Sequence, residues 1–414
     1  MMALEGPFLA ALIARLADPK FNLAAYGVAF ALAILIEAPV IMIMSAATAL
    51  VEDGNSYRKL RNFTYGLSAL ATGLLLLVLV PPVYRVLTST VMGLPSEVSE
   101  LMYGALWFFL PWPGAIGYRR FLQGVLIRSG RTRLVAYGTV IRVLVMAITA
   151  IVLYIAFSIP GVWVAAAALG AGVTAEAVAA RRMAATTIRA LLVQPETNST
   201  GREPLGYRRI AHFYYPLALT SLIGLAAHPM LAFFMSRGLA PIESLAVFPV
   251  VHALSFMFRA LGLSFQEAAI ALLGNDHEHI GELGRFGLWL GLASSAGLGA
   301  VAFTPLAGVW FESISGLTPE LAAFAVIPTM ILVPLPALSV LLSFQRAVLV
   351  KGHTTRPITV ATTIEVIGIA LLFVVLGWGV GLVGVTAAFL AFLGGRVAGN
   401  VYLIRRCALV LGKR

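Results

Sequence analysis

Four ionisable residues lie in the middle of long apolar stretches of the chain. They are Glu37, Arg142, Arg259 and Glu365. A charged side chain in a hydrocarbon environment is costly, so residues of this kind usually bind a charged solute, carry an ion or form a buried pair. The chemistry that these residue types offer is electrostatic recognition and the making and breaking of ion pairs.

An internal repeat divides the chain. Residues 6–19 align with residues 228–241 at an offset of 222, and residues 121–133 align with residues 344–356 at an offset of 223. The repeat predicts two six-helix units. Because six is even, both units would insert in the same direction and be related by a pseudo-twofold axis along the membrane normal.

The repeat places the four charges at two equivalent positions. Glu37 aligns with Arg259 at offset 222, and Arg142 aligns with Glu365 at offset 223. Each half carries one acid and one base, with the signs exchanged. Two arrangements stay open: pairs within each half would hold its helices together, whereas a Glu37–Arg259 contact would be a gate that breaks when the halves separate.

The composition indicates which elements must position these charges. The chain has 414 residues, of which 60% are hydrophobic and 11% charged. A soluble domain carries about a quarter charged residues. The high apolar content excludes a disordered chain. The low polar content excludes a single soluble domain, because too few polar residues are available to cover its surface. A polytopic membrane protein is the class that remains.

The apolar stretches predict twelve transmembrane helices. They lack strand alternation, and only helices or closed barrels can cross a bilayer. The predicted spans are 3–16, 22–50, 62–88, 100–127, 134–157, 160–188, 210–235, 243–273, 284–310, 320–350, 357–377 and 380–409.

A polar stretch at 194–204 divides these spans into two lobes. We predict an N-lobe at 1–192, a cytoplasmic linker at 193–207 and a C-lobe at 208–414. The first span is too short to cross, since crossing takes about 20 residues. The repeat therefore predicts that helix one has lost its front half; a short, tilted or re-entrant helix is the alternative.

The basic residues predict the orientation. Of 29 Lys and Arg residues, 22 fall on one set of alternating loops and 4 on the other. By the positive-inside rule, both termini and the linker face the cytoplasm of a bacterial inner membrane. Arg119, Arg120 and Arg346 are counted among these loop residues. Glu176 and Arg396 lie toward the inner ends of their spans and could simply snorkel to the interface.

Three further residues are candidates for coupling transport to an ion: Glu5, Gln266 and Glu267. Glu5 is close to Pro7, and a proline frees backbone carbonyl groups that can help to hold a cation. Gln266 and Glu267 lie near the cytoplasmic end of helix eight and favour an interfacial place.

Two histidines, His228 and His252, are further candidates because they could carry protons. A single histidine on a helix is more often a packing residue. Both interpretations therefore stay open at this point.

The chain lacks the motifs of the common enzyme classes. It has no Gly-rich phosphate loop, no HExxH and no GxSxG, and Cys407 is its single cysteine. We predict no enzyme activity, no catalytic residue, no metal site and no cofactor. A sodium or proton gradient would supply the energy, with membrane lipid and a small solute as partners, no nucleic acid, and a monomeric state.

Several short segments resemble a known superfamily. They are 23–30 (LAAYGVAF), 213–219 (FYYPLAL), 234–239 (FMSRGL) and a GRT turn at 130–132 after helix four. They resemble the multidrug/oligosaccharidyl-lipid/polysaccharide (MOP) exporters, within the MATE-like branch that includes the progressive ankylosis (ANK) proteins.

The resemblance implies an all-α protein with two lobes in a V shape and a cavity lined by helices one, two, seven and eight. Drug exporters of the family use an acid in helix one for the coupling ion, and Glu5 is the nearest match. ANK proteins export organic and phosphate anions, for which Arg259 and Arg142 are plausible contacts.

These observations predict a secondary transporter that exports a small amphiphilic or anionic solute by alternating access. A flippase for lipid-linked saccharide precursors is the alternative. It would need a strongly cationic interior, and the sequence places only three arginines in spans, close to acids.

Overall fold

The protein is helical throughout the part of the chain that the computed structural model describes, residues 2–193, 205–273, 278–352, 354 and 356–411. In the first half the helices are α1 Glu5–Ala14, α2 Pro19–Ile41, α3 Ile43–Leu50, α4 Gly54–Leu79, α5 Pro81–Arg85, α6 Ser96–Phe108, α7 Trp112–Arg128, α8 Thr132–Ala156, α9 Gly161–Met183 and α10 Ala185–Val193. In the second half they are α11 Tyr207–Ser236, α12 Pro241–Leu272, α13 Ile280–Phe303, α14 Leu306–Gly308, α15 Pro319–Ile331, α16 Leu335–Lys351, α17 Arg356–Phe373 and α18 Gly384–Leu411.

The helices that qualify as membrane spans by length and composition do not fully confirm the predicted twelve. Within the described residues, nine helices are long and apolar enough to cross a membrane, and the α15–α16 pair, bent by 42°, makes ten. Helix α1 has only 10 residues. The predicted span at 100–127 is divided between α6 and α7.

Proline causes the breaks in the fourth and tenth predicted spans. Pro111 precedes the first residue of α7, and Pro334 precedes the first residue of α16. A proline cannot donate the helical hydrogen bond of its own position, so the preceding helix ends and a new one starts. The two prolines align at the same offset of 223 as the sequence repeat, so the helix geometry agrees with the repeat.

The chain folds into two compact units. One contains residues 28–225, and the other contains residues 3–27 together with 226–414. Residues 3–27, which we assigned to the N-lobe, thus pack with helices of the second half. The predicted linker lies outside the described residues except at its ends, and the lobe boundaries stay a prediction.

Burial differs sharply among the long helices. In the most apolar window of α8, 17% of the residues are buried, against 61% in α9. Exposed Ile148 and Ile155 illustrate the outer surface of α8. Large apolar side chains facing outward are what a lipid environment requires, so α8 has the character of a lipid-facing helix and α9 that of a core helix.

Helix α4 begins with a capping box outside the spans. The Asp53 carboxylate accepts a hydrogen bond from the Ser56 backbone N–H at 2.8 Å, and the Ser56 hydroxyl accepts one from the Asp53 backbone N–H at 2.9 Å. Partial desolvation raises the pKa of Asp53, but the bonds from Ser56 outweigh it, so the pKa lies below its usual value. The box satisfies two backbone donors at the helix start.

Candidate functional site

The unit of residues 28–225 contains a buried ion pair between α7 and α9. Arg119 Nη1 lies 2.6 Å from Glu176 Oε2, and the Gln123 amide donates to Glu176 Oε1 at 2.9 Å. The two charged side chains are 4% and 0% exposed. Our expectation that Glu176 snorkels is wrong, because both of its carboxylate oxygens have partners in the interior.

Glu37 is buried in α2 of the same unit. Three arginines interact favourably with its carboxylate: Arg119, Arg120 and Arg142. The within-half partner predicted for Glu37, Arg142 of α8, is therefore one of three cations around it. This part of the unit is rich in positive charge rather than neutral.

The second unit contains a corresponding pair between α17 and α18. Arg396 Nε donates to Glu365 Oε1 at 3.0 Å, and Arg396 Nη2 lies 2.7 Å from the same oxygen. Both side chains are 10% exposed. Arg396 was expected to snorkel, and this expectation is also wrong. Its pairing means that the direct partner of Glu365 is Arg396, not Arg259.

Arg259 of α12 is held by other contacts. Its Nε donates to Ser339 Oγ at 3.2 Å, and its guanidinium carbon lies 5.3 Å from the centre of the Phe392 ring. The guanidinium carbon of Arg396 lies 5.8 Å from the centre of the same ring. Glu365 attracts Arg259 electrostatically without a direct bond. Two arginines thus share one aromatic ring, which stabilises cations in a desolvated place.

In each half, a glycine of the sixth span lies against the backbone of a charged residue in the fifth span. A Cβ at Gly172 of α9 would lie 2.9 Å from the carbonyl oxygen of Arg142, and a Cβ at Gly395 of α18 would lie 2.6 Å from that of Glu365. The two glycines align at an offset of 223, and so do the two charged residues. Glycine is required because the backbones touch there, and the contact fixes each charge against the sixth span of its half.

The balance of interior charge depends on three half-buried arginines. The buried charged side chains are Arg119, Arg142 and Arg396 together with Glu5, Glu37, Glu176 and Glu365. Arg120, Arg259 and Arg346 lie well inside α7, α12 and α16 and are half-buried. With these three included, arginines outnumber glutamates three to two in each unit.

Sequence reasoning missed Arg119, Arg120 and Arg346 because it assigned them to loops. Both α7 and α16 start immediately after the proline break, so these residues lie two to three turns inside a helix. The signal that could have located them is the Pro-x-Pro pattern at 111–113 and 334–336, which marks a helix start at the same place of each repeat.

The ion-coupling candidates do not form one cluster. Glu5 is buried in the first turn of α1, and the neighbouring Gly6 packs against Ala253 of α12. Gln266 is half-buried and Glu267 is exposed, and both lie about 20 Å further along α12 from Ala253, at about 1.5 Å per residue. Their role in ion coupling stays a prediction.

Comparison with solved structures identifies the fold. The chain matches an inward-facing MATE family multidrug resistance transporter of the MOP superfamily (15% identity, 98% of this chain and 94% of that chain, TM-score 0.68). It matches the lipid II flippase MurJ in an inward closed conformation (14%, 98% and 85%, TM-score 0.76). It also matches a MOP superfamily transporter from Pyrococcus furiosus (14%, 98% and 91%, TM-score 0.59). No family model and no curated protein matches the sequence.

The apolar helices define a multi-pass membrane protein. Over essentially its whole length, the chain shares its fold with the MATE transporter structure and with MurJ. The resemblance to ANK proteins is not tested by these matches and stays a prediction.

Proposed function

We propose that the protein is a secondary transporter for a small amphiphilic organic anion, which it moves by alternating access. The observation that carries the proposal is the surplus of interior arginine in each unit. Within the described helices, three buried and three half-buried arginines stand against four buried glutamates. Net positive charge in a membrane interior is unfavourable unless an anion offsets it during the transport cycle.

The hydrogen-bonding state of the arginines supports an anionic ligand. Several buried guanidinium nitrogens of the described residues have no acceptor. Among them are Arg119 Nε, Arg120 Nε, Arg259 Nη1 and Arg346 Nε. A buried donor without an acceptor costs about 1–3 kcal/mol. Carboxylate, sulfonate or phosphate oxygens would satisfy these donors, because guanidinium groups match such oxygens in pairs.

The fold agrees with transport rather than catalysis, since the solved structures that it resembles are transporters and a flippase. The Pyrococcus furiosus protein is described by a reverse polarity of its binding pocket that suggests a different function. Pocket polarity can therefore differ between proteins of this fold, and an anion-selective interior is compatible with it.

A flippase for a lipid-linked saccharide precursor is the second candidate. The arginine surplus, which is larger than the sequence predicted, suits a diphosphate group as well as a small anion. The resemblance to the MurJ fold adds to this candidate.

Transport by purified protein in proteoliposomes tests the proposal. Three probes separate the candidates: tritiated taurocholate as an amphiphilic anion, ethidium as a cation, and a fluorescent polyprenyl diphosphate saccharide. We expect transport of taurocholate alone. Ethidium transport without taurocholate transport would overturn the anion proposal, and translocation of the diphosphate lipid alone would favour the flippase.

Variants of single arginines locate the site. Arg259→Gln should reduce taurocholate transport by about tenfold or more, the effect of losing one charge-assisted bond. The matched control is Arg58→Gln, since Arg58 is exposed near the start of α4. Equal activity of both variants would exclude Arg259 from the site.

We also propose a bacterial inner-membrane location with both termini in the cytoplasm, because the basic residues of the loops are so unequally distributed. Protease cleavage of a C-terminal tag in right-side-out and inverted vesicles tests it. Cleavage confined to inverted vesicles is the expected result.

A further inference from the structure

Two histidines of the second unit meet in a contact that the proposed anion site does not use. His228 of α11 and His252 of α12 approach with an Nε2–Nε2 distance of 3.3 Å, and their rings are nearly perpendicular at 88°. Two imidazole nitrogens can form a hydrogen bond only if one has a proton and the other a free lone pair. The contact therefore holds a single proton between the two rings.

Aromatic rings surround this pair. His252 is stacked between Phe248 and Phe256, one turn away on either side, at 5.8 and 6.4 Å and within 18° of parallel. The Phe392 ring of α18 lies 6.4 Å from the His252 ring and is nearly perpendicular to it at 87°. These rings fix the orientation of the imidazole, and their faces would stabilise it as a cation after protonation. These ring faces are therefore the groups that would offset an added charge on the pair.

The pair retains an unused nitrogen. His228 Nδ1 is buried and has no hydrogen-bond partner within the described residues. If His228 donates in the Nε2 contact, its Nδ1 has a free lone pair and can accept a proton; if His252 donates, Nδ1 already carries the proton of neutral His228. A histidine that only packed would normally have its ring nitrogens satisfied.

The charged groups around the pair link it to the arginine cluster. Arg259 acts electrostatically on both rings, and it shares the Phe392 ring with His252. Arg396 of α18 and Glu365 of α17 act on Arg259 in turn. From α1, Glu5 adjoins Gly6, which contacts Ala253 beside His252. The pair thus lies against one cation, with Glu5 as the acid on the neighbouring helix.

We propose that the His228–His252 pair is a proton-binding site that takes up a proton together with the transported anion. Arg259 opposes a second positive charge on the pair, and an anion that neutralises Arg259 removes this opposition. Because the two binding equilibria are linked, protonation of the pair raises the affinity for the anion by the same factor by which the anion raises the affinity for the proton. The inference rests on the proposed function, and it adds the coupling ion and the sign of coupling: proton and anion bind cooperatively and move in the same direction.

The added proton leaves the contact between the rings in place. With one proton added, three of the four ring nitrogens carry a proton, and one Nε2 still donates to the other. Only a second proton would make both Nε2 atoms donors and break the hydrogen bond between α11 and α12. The single proton therefore adds its charge to the pair and keeps the two helices joined.

Calorimetry of taurocholate binding to the solubilised full chain tests the coupling. Taurocholate stays ionised between about pH 5 and pH 8, the range in which histidine titrates. Titrations in buffers of different ionisation enthalpy should yield about one proton taken up per anion bound. The affinity should rise as the pH falls, by at most about tenfold per pH unit, the limit for one linked proton.

The double variant H228Q/H252Q is the informative one, because an amide pair retains a hydrogen bond but does not titrate. It should bind taurocholate with no proton uptake and no pH dependence. The matched control is H212Q, since His212 lies on the same helix α11 but is exposed. It should behave as wild type, and proton uptake that survives in H228Q/H252Q would overturn the proposal.

A second measurement separates failure of this inference from failure of the proposed function. The ¹⁵N NMR spectrum of histidine-labelled protein needs no anion. H252Q should shift the Nε2 signal of His228 and H228Q that of His252, while H212Q shifts neither. Independent signals would reject the pair even if taurocholate is transported. Absence of taurocholate binding, with coupled signals, would reject the anion function and leave the shared proton established.

Zn²⁺ binding is the remaining test, because imidazole nitrogens are common ligands of this ion. Stoichiometric Zn²⁺ binding that is lost in H228Q/H252Q would overturn the proton interpretation in favour of a metal site.

Discussion

The two halves of the chain join their fourth and sixth spans by the same kind of contact. In the first half, Gln123 donates its amide to Glu176, and in the second half Gln345 donates its amide to the carbonyl oxygen of Asn400 at 3.1 Å. Gln345 follows Gln123 by 222 residues and Asn400 follows Glu176 by 224 residues, so each is one residue out of register with the offset of 223 that aligns residues 121–133 with 344–356. Both halves therefore have an amide contact between the same two spans, made by neighbouring rather than equivalent residues.

The ion pairs, by contrast, join different helices in the two halves. The pair of the first half joins the fourth and sixth spans through Arg119 and Glu176, whereas the pair of the second half joins the fifth and sixth through Glu365 and Arg396. The comparison shows that the glycine contacts occupy equivalent positions in the two halves, whereas the ion pairs do not. The glycine and amide contacts join the same pairs of spans in both halves, and only the placement of the charges differs.

The largest expected effect is at the more buried pair. Glu176→Gln would remove the carboxylate that is bonded to Arg119, and breaking a buried ion pair costs about 3–5 kcal/mol of unfolding free energy. Denaturant titration followed by tryptophan fluorescence measures the loss. The matched control is Glu100→Gln at an exposed position, which should change little. A loss no greater than that of the control contradicts the assignment of a buried pair.

A smaller effect is expected at Glu365→Gln, about 1.5–3 kcal/mol, the range of a hydrogen bond to a charged group. Arg396 retains the ring of Phe392 and its side chain is 10% exposed, so it is less dependent on its acid than Arg119. The same titration compares the two variants. A greater loss for Glu365→Gln than for Glu176→Gln would reverse the order proposed here.

The two glycine contacts offer the next comparison. Gly172→Ala and Gly395→Ala should each cost about 1–3 kcal/mol through overpacking against a backbone carbonyl. Gly395→Ala should cost more, since its Cβ would lie at 2.6 rather than 2.9 Å. Gly66→Ala in α4 is the control, because nothing lies within 4 Å of its Cβ. Stabilisation by all three alanines would show that the helices do not touch.

The smallest effect should come from outside both clusters. Asp53→Ala removes the capping box of α4 and should cost about 1 kcal/mol. The folded-state pKa of Asp53 is lowered, so its stabilisation is present above the unfolded pKa and is lost as the pH falls through the folded value. The difference between wild type and variant, measured by thermal unfolding, should therefore narrow below about pH 4. A constant difference would show that the carboxylate charge does not contribute.

Sequence reasoning located the class, the repeat and the general fold because these depend on apolar length and internal alignment, which are local properties. It identified Glu37, Arg142, Arg259 and Glu365 as interior positions, since a charge inside an apolar run is visible directly. It failed for charged residues at the ends of the apolar stretches. A charge there can lie in a loop or a helix turn, and the proline that decides between them acts through three-dimensional geometry.

The sequence also could not show which side chains contact each other. Glu365 pairs with Arg396 rather than with Arg259, because α17 and α18 approach closely at Gly395. Alignment of repeats relates positions that are equivalent, but it does not tell which side chains meet. The pairing of His228 with His252 belongs to the same category, since the two residues lie on different helices.

The glycine contacts at 172 and 395 have a consequence for how the protein responds to membrane voltage. Helices whose backbones touch cannot slide along each other without first separating, so each fifth span and sixth span must move as one rigid body. The charge of Arg142 or Glu365 lies at that contact. Moving one charge through a full potential of about 100 mV is worth about 2.3 kcal/mol. The electric field of the membrane would therefore act on two whole helix pairs, and turnover should depend on voltage even for an electroneutral cycle.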